Sequence, residues 1–87
     1  MVNVSISNPV AHRLEGVEFT GTRGGIAQRF LVPRDGLEDL DYNMLETPAA
    51  LLEAFGRHQD HIAEVAAKAL DGGKGGPAAI VLNSLLL

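Results

Sequence analysis

Residues 47–72 constrain this chain more than any other stretch. TPAALLEAFGRHQDHIAEVAAKALDG carries one apolar stripe at helical spacing between a start signal and a stop signal. Thr47 offers an N-cap hydroxyl, and Pro48 suits the first helical position. GGKGGP (72–77) places glycine past the end and proline beyond it. At 100° per residue, Phe55, Ile62, Val65, Ala66 and Ala69 fall within about 60° of Leu51. The spacing predicts one long helix running to about Asp71, and its apolar face needs a surface to cover.

The rest of the chain reads as that surface. VNVSI (2–6) alternates Val2, Val4 and Ile6 on one side, the period of a half-buried strand, and Asn8-Pro9 breaks it. VEFTG (17–21) and IAQRFLVP (26–33) repeat the pattern, joined by the glycines of TGTRGG (20–25), as an antiparallel meander. In RDGLEDL (34–40), Asp35 and Glu38 have the spacing of a capping pair, and Leu37 and Leu40 lie three apart, so one or two helical turns are expected. AAIVLNSLLL (78–87) is apolar and partly β-branched and reads as a last strand at about 79–84. The expected fold is α+β in one domain spanning 1–87: a small antiparallel sheet of about three to four strands packed against one long helix in the C-terminal half, with a short helical turn before it. The expected core joins Val4, Ile6, Val17, Phe19, Ile26, Phe30 and Val32 from the strands to Leu37, Leu40, the helical stripe, Ile80 and Leu82.

With 87 residues and no cysteine, only a thin core is available, and disulfides, thiolate zinc sites and cysteine nucleophiles are excluded. No leader and no apolar run near ~18 residues stands out, so a cytoplasmic protein without membrane contact is expected. Residues 1–34 carry a balance of +2 and residues 35–71 a balance of −7, with Lys74 bringing the total to −4. Arg13, Arg23, Arg29 and Arg34 are scattered and interleaved with Glu15 and Glu18, which is a poor footprint for nucleic acid. The acidic middle reads as a solvated face.

The chemical candidates gather on the long helix. His58 falls at about 340°, inside the stripe, His61 at about 280° on its flank and Glu64 at about 220°, further out. They form a staircase from core to solvent and do not converge as metal ligands; the remaining histidine, His12, is expected in a loop before the strands. His58 is expected to be an interior histidine bonded to a backbone carbonyl or a carboxylate. Buried and neutral, it would loosen the fold when charged in acid. GGKGGP lacks the strand, the Ser or Thr and the helix of a phosphate loop. Ser5, Ser7 and Ser84 lack a nucleophile elbow. No catalytic residue, metal or cofactor is therefore expected. Leu85, Leu86 and Leu87 close the chain and are expected to favour self-association.

Leu51-x-x-x-Phe55-x-x-His58, followed by Ile62-x-x-x-Ala66 after the Thr47-Pro48 start, also forms a pattern with the acidic Leu37-x-x-Leu40 turn. Across roughly 17–82 this resembles the bacterial family called domain of unknown function 1488. The resemblance implies a compact α+β fold in small cytoplasmic bacterial proteins, and it implies no activity. The family often carries Arg directly after the helix histidine, where this chain has Gln59. The function expected is a non-enzymatic protein–protein interaction or self-association domain. The alternative is a small-ligand or metal-binding regulator using Arg57, His58, His61 and Glu64.

Overall fold

A computed structural model describes residues 4–72, 76 and 78–83. The first strand, β1 (Ser5–His12), pairs antiparallel with β2 (Gly16–Arg23), which pairs antiparallel with β3 (Ile26–Pro33). Asn8-Pro9 does not end β1. Register passes from Ser7↔Thr20 to Val10↔Glu18, so one extra residue on β1 makes a bulge, and Asn8 takes φ 53° there. Proline is tolerated because β1 is an edge strand. Gly24 and Gly25 close the second hairpin with φ of 60° and 79°, backbone that a two-residue turn of primed type requires.

The chain then turns helical: α1 (Arg34–Asp41), α2 (Pro48–Arg57) and α3 (Gln59–Asp71) precede β4 (Ile80–Val81). Thr47 caps α2 as expected, its hydroxyl accepting from Ala50 N at 3.1 Å. The Asp35–Glu38 capping pair does not form. Pro33 stands at the cap position without a side-chain bond, and Asp35 accepts from Gly36 N instead.

Two parts of the expected architecture are corrected. The long helix is two helices, broken at His58, whose φ of −111° and ψ of 16° leave the helical region. Its N–H still reaches both Ala54 O and Phe55 O at 3.2 Å, so the break is a single residue wide. Gly56 weakens the end of α2, and Asp60 favours a fresh N-terminus through the helix dipole. The sheet is mixed, because the chain returns across the helices and β4 joins β3 in parallel, in the order β1-β2-β3-β4.

The core lies between one sheet face and the helices. Phe19 stacks on Phe30 and tilts against Phe55, both at 5.2 Å between ring centroids. Val17, Phe30, Val32, Leu37, Leu51, Ile62 and Leu82 are fully enclosed. Leu45, Ala54, Ala63 and Ala67 join them beyond the expected set, while Ile6 and Leu40 are half-buried. Ile26 departs from expectation at 70% exposed. Alternation puts it on the covered face, but it sits beside the Gly24-Gly25 turn at the end of the hairpin.

Gln28 occupies the next position on that face and is buried. Its amide donates to Ala78 O and accepts from Gly76 N, tying the approach to β4 onto the sheet. The last-strand expectation of 79–84 shrinks to Ile80–Val81, extended by Leu82 N donating to Leu31 O at 2.8 Å. Ser84 and Leu85–Leu87 lie outside the described residues.

Candidate functional site

Helix α1 ends on an aspartate, an unfavourable charge at the negative end of a helix dipole. Asp41 is nonetheless held almost out of solvent, its side chain 5% exposed, because neighbouring segments surround it with donors. Arg57, the last residue of α2, donates from Nε to Oδ1 at 3.1 Å and from Nη2 to Oδ2 at 2.8 Å. This is the two-pronged geometry in which a guanidinium matches a carboxylate best. His58, at the break before α3, shares its Nε2 with Oδ1 at 2.8 Å. Asn43 donates from its amide to Oδ2 at 3.0 Å.

Four donors thus meet a group with about four acceptor positions. The Arg57, Asn43 and His58 bonds hold the Asp41 carboxyl well below the usual carboxylate range, and Asp41 in turn raises the Arg57 guanidinium. One carboxylate therefore fastens the end of α1, the end of α2 and the start of α3.

The same fastening fixes the turn from α1 to α2. Tyr42 N and Asn43 N both donate to Glu38 O, which closes α1 with Tyr42 in left-handed backbone at φ 58° and ψ 32°. The Glu38 carboxylate accepts from Leu45 N at 2.8 Å and from Arg34 Nε at 3.2 Å. Those bonds, the Leu45 one first, lower its pKa from the ordinary value. Leu45 is pulled into the core, whereas Tyr42 and Met44 are left 92% and 76% exposed. They line an open cleft of about 580 Å³ with Glu38, Asp39 and Asn43.

Of the candidates read from the sequence, Arg57 and His58 come together here, on a partner that the sequence reading did not name. His58 has its expected carboxylate, but its side chain is 27% exposed and it is not an interior residue. His61 and Glu64 stand exposed on α3, about one and two turns past the break. Among the described residues, no group of three or more His, Cys, Asp or Glu side chains is placed to hold a metal ion. Asp41, Tyr42 and Asn43 were missed because Glu38-Asp39-Asp41 reads as a solvated acidic run. The available signal was a non-glycine, Tyr-Asn, after the last apolar position of a short helix.

A four-stranded mixed sheet covered on one face by three short helices, with the helix ends tied at one carboxylate, defines a small α+β domain. The model of the family described as "Protein of unknown function (DUF1488)" matches residues 9–82, and the chain belongs to that family. The match reaches further towards the N-terminus than the resemblance across 17–82, taking in Pro9 at the β1 bulge and the first hairpin. No curated protein and no solved structure is found similar to it.

Proposed function

We propose that this chain is a non-enzymatic protein–protein interaction domain of the bacterial cytoplasm, acting through the turn between α1 and α2. Tyr42 carries the reading. It is the one tyrosine of the chain, it holds a left-handed backbone, and it is 92% exposed. That backbone disfavours a bulky side chain, which here adds nothing to the core. A contact outside the chain would give the exposed ring a use that the core does not. Met44 beside it is 76% exposed, and tyrosine and methionine are enriched at the centres of protein contacts. The saturated Asp41 beneath them keeps the turn rigid, so little ordering remains to be done on binding.

Self-association belongs to the same proposal, at this turn or through Leu85–Leu87. The alternative, a ligand or metal regulator using Arg57, His58, His61 and Glu64, has to compete with Asp41, which already engages Arg57 and His58. The cytoplasmic, bacterial placement rests on the family resemblance. The test is a Tyr42→Ala, Met44→Ala double variant, checked for native circular dichroism. Loss of binding to itself or to a partner that the parent protein retains supports the reading, and undiminished binding overturns it.

A further inference from the structure

Four arginines are already matched. Arg23 pairs with Asp71, Arg29 with Glu18, Arg34 with Glu38 and Arg57 with Asp41. Arg13 differs: it is exposed and has no ion-pair partner among the described residues. It sits in the loop 13–15 at the tip of the β1–β2 hairpin, beside Leu14, which is 80% exposed. The tip therefore presents an uncommitted guanidinium and an uncommitted aliphatic side chain, followed in the same loop by the exposed Glu15.

The cleft at the other end of α1 offers the complement. Asp39 is exposed and likewise has no ion-pair partner among the described residues, and it lines the cleft with Tyr42 and Met44. A guanidinium fits a carboxylate through paired hydrogen bonds and a tyrosine ring through cation–π attraction. Met44 supplies a soft apolar contact for a leucine. About 580 Å³ is room for side chains of this size.

We infer that a second copy of this chain docks its Arg13-Leu14 hairpin tip into the cleft formed by Asp39, Tyr42 and Met44. The inference rests on the reading of the Tyr42 turn as a contact surface and names its partner. The positions of the two features make the contact reciprocal. Arg34 N donates to Glu15 O at 3.0 Å, so the tip lies at the start of α1, while the cleft lies at its end, about 12 Å away along eight residues. Two copies with antiparallel α1 helices, related by a two-fold axis, bring each tip to the other's cleft. A closed two-fold pair makes the contact twice and leaves neither patch over. The opposite charges of Arg13 and Asp39 favour this encounter over tip-to-tip or cleft-to-cleft approach.

Sedimentation equilibrium of the full chain, up to about 1 mM, tests it. The parent protein is expected to form dimers. Arg13→Glu and Asp39→Lys are each expected to raise the dimer dissociation constant at least about tenfold, because each sets like charges opposite one another. An equimolar mixture of the two variants is expected to regain dimers, since both contacts are then complementary again. Leu14→Asp, at a position that takes no part in the core, gives an independent disruption. A parent chain that stays monomeric overturns the self-docking, while the Tyr42 surface is still judged separately by its own double variant. Dimers indifferent to both reversals, or a mixture that does not recover, also overturn it.

Discussion

Tyr42 and Asp41 are neighbours with opposite relations to the fold. Asp41 is almost enclosed and fully bonded, and Tyr42 is almost bare. Left-handed backbone at a helix end costs a bulky residue about 1 kcal/mol or more relative to glycine. Tyr42→Gly is therefore expected to raise stability in urea by about 0.5–1 kcal/mol while weakening association. A variant that is both less stable and equally associated would show that the ring is held by the chain itself. Asp41→Ala should act in the opposite sense. It strands Arg57, His58 and Asn43 without their common acceptor, and Tm should fall by several degrees with the largest amide shifts at residues 41–45 and 57–60. Conversion to Ala leaves no acceptor at that position, so an unchanged Tm would mean that the clasp contributes nothing to the fold.

At the level of elements, a break one residue wide escaped the helical pattern. Leu51, Phe55, Ile62 and Ala66 hold their angular positions whether or not the chain kinks at His58, because a break of one residue is too short to shift the phase. Periodicity found the buried face of α2 and α3 and could not see the kink. It did find Thr47 as a cap and Leu37, Phe19 and Phe30 as core, since those signals are local. The parallel pairing of β4 depends on where a long crossover returns and has no local mark. Gln28 hides for the same reason, a polar residue on a covered strand face whose partners lie at residues 76 and 78. Gln28→Leu should cost about 1 kcal/mol and speed hydrogen exchange at Leu82 N, which bonds to Leu31 O. Equal protection in the variant would mean that packing of Ile80 and Leu82 holds β4 without the amide. Gly56 is exposed and a Cβ there meets nothing within 4 Å, so Gly56→Ala should stabilise α2 by about 0.5–1 kcal/mol in chemical denaturation.

Across the whole molecule, the carboxylates set how the fold responds to acid. Asp41, Glu18 and Glu38 all have lowered pKa values: Asp41 through Arg57 first, Glu18 through Arg29 first, and Glu38 through the Leu45 amide first. A carboxyl whose folded pKa lies below its unfolded one binds fewer protons in the folded state. Its contribution is complete above the unfolded values, 3.8 for Asp and 4.5 for Glu, and is lost as pH falls through the folded ones. The contribution of these three carboxylates should accordingly be constant down to about pH 5 and then decline steadily. Asp41 ties three helix ends, while Glu18 lies on the sheet, so the two should separate by region. In Asp41→Asn the acid limb should become shallower and start from a lower plateau, because an amide cannot titrate and matches only some of the donors. In Glu18→Gln the limb should soften without amide shifts at residues 41–45. Urea melts at successive pH values measure both slopes. Melts that steepen rather than flatten in Asp41→Asn would mean that Asp41 is protonated more readily in the folded chain than in the unfolded one, the reverse of what its four donors require.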